Sequence, residues 1–573
     1  MINMKGIYTA LFFMSLSFPV LGQDQWGAPT EGELEDSRVI IEKNRKIELP
    51  RAQRKFQKVP KLKPTKDSIA INYQWKDLTP KLNTINPTLR VLRIKDDQLE
   101  KLFANQVSLG FGNYASSFLS AHLANKRDKN KSYGLQLFHK HYNRGSVDGR
   151  YSASGNQYVN PYLRLINKDY VFAASLLYDR FDNYAYGAFE NSLGANELYE
   201  RGEFQKLYQN VSANIQFENR NIENKLDYKL KLNAKHFFTS MGSKESVVSY
   251  EINNSYRLSK AISFGIPISG FFSEYTATSE LNKTNRYLLK VKPKAEYFLN
   301  EHLLVNAGIN IVAENDQLRN MGKVHVYPVI QATFNPVTNL ILKAGISGDV
   351  ERQLFQGFAY LNPYVDEIDI LNNTLVPFKF NVGLNANLLN RVNITADYAI
   401  GTVQNQQFFQ NTISGDDFPN AYNTTVFYIE QSLTKSSAQI ALTFNVNKAV
   451  SLNASANYLE FSHDSISLFP NTPKLGYTFS SNFNIKDKLI IGVSGFGQTE
   501  SRAYLLENST LLLDNNSSVI AGYIDLGLSL KYNLTTRSTV FIDSKNLIAK
   551  AYRNYLNYPG RGFQIMAGFT YSF

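Results

Sequence analysis

The chain has 573 residues, no cysteine, seven histidines, and 19% charged residues, below the roughly 25% of ordinary soluble domains. The formal charge is +12, and aromatics reach 13%, nearly all of them Tyr (35) and Phe (38) against two Trp. These figures exclude disulfide, thiolate–metal, iron–sulfur and cysteine-nucleophile chemistry. Past residue 22 no apolar run approaches the ~20 residues of a membrane helix, which excludes a helical membrane protein. Membrane strands are not excluded, because their alternating residues average out in any hydropathy window.

The first element is a secretory signal. Lys5 supplies the positive start, Ile7 to Val20 form an apolar stretch of 14 residues, and Gly22 gives a small residue before a mature N-terminus at Gln23. With no Cys after it, the chain has no lipoprotein attachment site of its own.

Residues 23–103 form a second region, read as an extended periplasmic arm. Glu31, Glu33, Glu35 and Asp36 precede a stretch from Lys43 to Lys66 with ten basic residues and one acidic one, interrupted by Pro50, Pro60 and Pro64. Proline and like charge together disfavour a packed core. Nucleic acid is not expected as a partner, because the chain is exported. The arm is instead a candidate protein-binding segment through Val39, Ile40, Ile41, Lys43, Arg45, Lys46, Arg51, Arg54 and Lys55.

From residue 104 to 573 the pattern changes to alternation. Phe378, Phe380, Val382, Leu384, Ala386 and Leu388 alternate with Lys379, Asn381, Gly383, Asn385 and Asn387; 438–446 and 450–458 read likewise. A period of two puts one set on each face of a strand. Short turns fall near 126–131, 167–169, 219–225, 258–261, 299–301, 335–339, 389–391, 447–449, 485–488 and 534–537. Longer connections lie between them, for instance 183–200, 352–376, 404–424, 462–475 and 500–521. Strict short–long alternation collects the turns at one end and the loops at the other, as in an outer-membrane barrel. The expected fold is an all-β, transmembrane antiparallel β-barrel of about 22 strands, within a range of about 16 to 24, with both termini periplasmic.

The chain ends on alternating Phe563, Ile565, Ala567, Phe569, Tyr571 and Phe573. Gly568, Tyr571 and the terminal Phe573 resemble the signal read by the outer-membrane barrel insertase, which makes that insertase the expected partner during biogenesis. Asn546-Leu547-Ile548-Ala549-Lys550-Ala551-Tyr552, then Pro559-Gly560-Arg561, resembles the end of TonB-dependent receptors. In that family an Asn-Leu-aromatic-Asn/Asp turn, a Tyr and a Pro-Gly-Arg step precede the last strand; Ile548 and Ala549 depart from it. Asp36 to Glu42 is similar to the short extended box that such receptors offer to their periplasmic energiser, a segment able to pair with a sheet edge. The resemblance implies a 22-stranded barrel in the outer membrane, bounded by outer-membrane lipids. It also implies a folded plug, and residues 23–103 are too short and too basic for one. The reading is a plugless relative.

An unfilled barrel of this size would be a wide hole, so inward loops, the arm or another protein must occlude it. Arg352 to Pro377 is a candidate lid, because Leu354, Phe355, Phe358, Tyr360, Leu361, Tyr364 and Val365 are apolar for a surface loop. A loop packed on its neighbours is the alternative. Alternation also puts Lys229, Lys231, Lys235, Lys290, Lys292 and Lys294 in the lumen. These are candidate sites for anions or an acidic segment unless neighbouring strands carry counter-charges. His139 and His141 share a strand face, and His463-Asp464-Ser465 cannot form a triad because adjacent side chains diverge. No enzyme activity, metal or cofactor is expected. Two functions remain: transport across the outer membrane with partner proteins such as a periplasmic or surface lipoprotein, or a scaffold subunit of an assembly or secretion complex.

Overall fold

The computed structural model describes residues 103–573, apart from short segments, the longest of which is 187–200. The arm residues and the leader lie outside the described residues.

Alternation becomes one sheet of 24 hydrogen-bonded segments. Two pairs of segments are single strands interrupted at a proline. Ile262–Gly265 continues as Ile268–Thr276 past Pro267, and Lys283–Val291 continues as Lys294–Phe298 past Pro293. Proline lacks the N–H that the ladder needs, so pairing breaks there. Twenty-two strands therefore cross, all antiparallel to their neighbours. The sheet closes where Gln106–Gly112 pairs with the last strand, Gln564–Ser572, from Gln106 opposite Ser572 to Gly112 opposite Met566. Asn105 and Phe573 exchange backbone hydrogen bonds at 3.2 and 2.9 Å, which completes the seam.

Gly568 is fixed by this closure. A Cβ there would run into the Leu109 carbonyl and the Phe541 ring, which lies across the seam. The last strand thus carries a glycine because an inward aromatic from the strand before it needs the space.

The wall has two chemistries. Val247 and Phe271 are 1% exposed, whereas their neighbours Val248 and Phe272 are 44% and 59% exposed. With Leu176, Ile215, Ile330 and Ile440 the outward set forms an apolar belt, the surface that hydrocarbon covers. Among the described residues no helix is long and apolar enough to cross a membrane.

All ten sequence-predicted turns lie at the end that holds both termini. Among the described residues two of them are tight pairs at positive φ, Leu389 and Asn390 (54° each) and Lys486 and Asp487 (53° and 56°), the twist that two-residue hairpins require. The other end is less regular than the expected alternation. Connections 113–115 and 240–243 there are as tight as the turns, because their strands pair up to the rim. The strand Gln205–Asn219 has 15 residues. At ~3.3 Å per residue and a tilt of about 45° it rises about 35 Å, more than the ~25 Å apolar band. Strands of this length stand above the belt and form the walls of a mouth.

Candidate functional site

The loop between Leu340–Glu351 and Thr374–Leu388 turns into that mouth. Residues 374–377, expected as loop, belong to the strand. The rest carries the short helix Phe355–Leu361. Its apolar side chains sit on inward-facing strand residues. Phe355, Phe358, Ala359, Val365, Ile368 and Leu371 pack with Tyr208, Phe237 and Tyr275. Leu354 joins Val247, Phe271, Leu288, Val312, Tyr327 and Val350. Fully burying a side chain of this kind contributes about 1.5–3 kcal/mol. The apolar run is therefore both an inward lid and a loop packed on its neighbours.

Polar clamps hold the same segment. The buried Glu245 carboxylate accepts the backbone N–H groups of Phe355 and Gln356, both at 3.2 Å. Lys235 donates to the Gln356 side chain, and Tyr360 donates its hydroxyl to Asp179. Lys206 reaches the Tyr364 carbonyl at 3.0 Å, and Tyr208 donates to Val365 O at 2.5 Å. Arg286 ties the two ends of the loop together through three acceptors: Asp316 at 3.1 Å, Gln353 O at 2.8 Å and Asn373 Oδ1 at 2.8 Å. Asn373 in turn donates to Glu314 at 2.7 Å, which His325 meets at 2.9 Å.

Burial pushes the Asp316 carboxyl above its usual range despite the adjacent Arg286 guanidinium. Burial, reinforced by the Asp179 carboxylate, pushes the Tyr360 hydroxyl up from the ordinary phenol value.

A second loop, 546–563, comes in from the opposite wall and meets the lid. Tyr558 stacks on Tyr364 with centroids 3.4 Å apart and planes at 6°. Tyr555 donates to the Leu361 carbonyl, and Tyr186 donates to the Pro559 carbonyl at 2.6 Å. Tyr364 is buried, and burial raises its pKa well above the ordinary phenol value. Two loops anchored on different walls thus close on each other through tyrosines.

The signature residues of the C-terminal resemblance build this second loop. The Asn546 side chain donates to Lys550 O at 2.8 Å and Arg561 O at 2.9 Å, tying its two ends together. Tyr552 donates to Asp525 at 2.7 Å and stacks on Tyr523. Arg561 donates to Ser152 O and Ser154 Oγ, both at 2.9 Å, and lies over the Tyr142 ring at 4.3 Å. Ala549, where the pattern has Asn or Asp, sits at φ +59°, a region that Asn and Asp tolerate better.

Of the lysines expected to face the lumen, five meet counter-charges. Lys229 pairs with Glu218 at 3.3 Å and Lys231 with Glu251 at 3.8 Å. Asp349 bridges Lys290 and Lys292 at 2.8 and 2.7 Å, and Lys294 meets Glu296 at 2.8 Å. Lys235 lies higher, at the lid. The wall is a lattice of ion pairs rather than a bare cationic surface.

The histidine pairs make no centre. His139 bonds Ser117 Oγ at 2.9 Å, and His141 lies 4.0 Å from Asp182. At 463–465 only the Ser465 backbone N–H reaches His463, at 3.1 Å. Among the described residues no cluster of three or more His, Asp or Glu could hold a metal.

Sequence reasoning missed the clamps Asp179, Tyr208, Glu245 and Arg286, and the latch residues Tyr186, Tyr555 and Tyr558. Alternation does mark the first four as inward, but every barrel has inward polar residues. Nothing local tells a clamp from a lumen residue.

No protein-family model matches the chain, and no curated protein matches it. Solved structures do. The FrpB iron transporter from Neisseria meningitidis is 13% identical, with 83% of this chain and 82% of that one covered and a TM-score of 0.61. The siderophore receptor PirA from Acinetobacter baumannii is 10% identical, covering 83% and 81% at a TM-score of 0.60. The ferric-catecholate import receptor Fiu from E. coli is 10% identical, covering 83% and 82% at 0.59. The chain has the receptor-barrel fold. The resemblance carried by about 30 C-terminal residues therefore extends, as fold, over the whole barrel.

Proposed function

We propose that this protein is a receptor-like outer-membrane transporter, without a plug of its own, whose mouth is closed by its own loops and which works with partner proteins. The observation that carries this reading is the clamped lid, met across the mouth by the tyrosines of 546–563. A closed barrel with an apolar belt suits the outer membrane, and strands that rise above the belt suit capture at the outer surface. The turns and both termini would face the periplasm. The three neighbours carry iron or siderophore import in their names, which favours uptake of a metal chelate over secretion. The paired lysines of the lumen support an anionic solute, since a carboxylate such as Asp349 can be exchanged for the solute's own charge.

The test is purification of the full chain from its native outer membrane in mild detergent, with stoichiometry by mass spectrometry, followed by bilayer conductance. A quiet barrel that opens when the lid is released supports the reading. A permanently open barrel with an intact lid, or a sealed barrel in a complex that carries no solute, refutes it; the second result would favour a scaffold.

A further inference from the structure

The turn end of the barrel has an unusual surface. Eight of its ten turns carry at least one exposed Lys or Arg, from Lys126 in the first to Arg537 in the last. Acidic residues are few there: Asp128, Asp169, Glu301 and Asp487 among the described positions. Asp128 and Asp487 are engaged by their own turns, Asp128 taking the backbone N–H of Asn130 and Asp487 the side chain of Asn484. On the inner wall Lys229, Lys231, Lys290, Lys292 and Lys294 each meet a carboxylate. Among the described residues no ion pair involves a cation of these turns.

Beside the cations stand exposed apolar side chains. Leu258 is 57% exposed two residues before Lys260, and Leu534 is 54% exposed three residues before Arg537. Leu389 is 88% exposed at φ +54°, two residues before Arg391. A leucine in that backbone region costs about 1–2 kcal/mol, and in water it gains nothing from its exposure. In hydrocarbon it does.

A ring of outward aromatics fixes the level. Tyr256, Phe483 and Tyr532 are 45%, 36% and 44% exposed and lie three to five residues from Lys260, Lys486 and Arg537. Outward Tyr and Phe near strand ends mark the headgroup boundary of membrane barrels. Three to five residues at ~3.3 Å put the cations within about 10–17 Å along the strand, and less along the membrane normal. That is the level of the lipid phosphates.

We propose that the turn end is a cationic collar that binds anionic phospholipid headgroups, with its leucines and aromatics in the hydrocarbon edge and its lysines and arginines on the phosphates. The inference rests on the membrane-barrel reading with periplasmic turns, where the facing leaflet is phospholipid. The collar would set the depth and tilt of the barrel, and each cation at an anionic surface is worth about fivefold in lipid partition.

The experiment uses the full chain in vesicles with one reporter. Trp26 and Trp75, the two tryptophans, are replaced by Phe, and Phe483→Trp places a single indole in the girdle. In equimolar phosphatidylglycerol and phosphatidylcholine at low salt, brominated phosphatidylglycerol should quench it several-fold more than brominated phosphatidylcholine. Lys448→Gln, Lys486→Gln and Lys488→Gln together should abolish the preference, and so should 0.5 M salt, while the barrel stays heat-modifiable on gels. Equal quenching at low salt, or a preference that survives charge removal, overturns the proposal. Loss of a stoichiometric acidic protein from the triple variant in native membranes, with lipid preference unchanged, also overturns it. Orientation is read separately. Ser259→Cys gives the chain its one thiol, and labelling it on intact cells with an impermeant maleimide would reverse the periplasmic assignment without touching the lipid measurement.

Discussion

Phe355→Ala tests whether the lid is a local unit that closes the mouth. Phe355 is fully buried, with the Phe237 ring centred 5.6 Å away at 69° and the Tyr275 ring at 5.3 Å and 50°. Removing a core phenylalanine costs about 3–5 kcal/mol. None of this falls on the barrel ladder, because Phe355 lies on the lid helix and pairs with no strand. The cost therefore appears as local opening. About 4 kcal/mol raises the ratio of open to closed lid about a thousandfold. Two assays read it. The Phe355 and Gln356 amides, protected by Glu245, should exchange much faster, and bilayer recordings should show frequent openings where the wild type is quiet. The heat-modified gel shift of the barrel should not move. Unchanged exchange over 352–373 would refute the clamp, and loss of the whole barrel in the same step would refute its independence from the wall.

Four further outcomes follow from the same geometry. Gly568→Val should prevent closure, since its side chain meets the Leu109 carbonyl and the Phe541 ring; the heat-modifiable species should disappear on gels. Tyr364→Ala and Tyr558→Ala should couple in a double-mutant cycle on mouth opening by about 0.5–1.5 kcal/mol, the worth of a stacked aromatic pair; additive effects would deny the latch. Asp349→Asn leaves Lys290 and Lys292 without their shared carboxylate, so in the lid-released channel the reversal potential should move toward anion selectivity. Ala549→Gly relieves a side chain held at φ +59° and should raise the thermal stability of the 546–563 loop by on the order of 1 kcal/mol, read by hydrogen exchange.

Much of the architecture was legible because a barrel's constraints are local. Side chains alternate with a fixed period of two, and each membrane crossing ends in a turn that the sequence marks, as at Leu389-Asn390-Arg391 and Lys486-Asp487-Lys488. The strand number followed from counting such turns, and the closing strand followed from the terminal Phe573. The exceptions have local causes too. Residues 113–115 and 240–243 are tight where loops were expected, because their strands pair up to the rim. Thr374 to Pro377 is strand because it pairs with Val350 and its neighbours on the strand before the lid.

The site was legible in half. The apolar run from Leu354 to Val365 announces a segment that must hide from water, and its length shows that it can reach the lumen. What receives it cannot be read locally. Glu245 and Lys235 lie on adjacent strands, but their partners Phe355 and Gln356 are more than 100 positions away. Tyr558 meets Tyr364 only because the sheet closes and brings the last loop across to the lid. Sequence period fixes which face a residue takes, and closure fixes what it meets there. The clamp is therefore a property of the ring as a whole, and that is why releasing one lid residue should be felt at the mouth and not in the ladder.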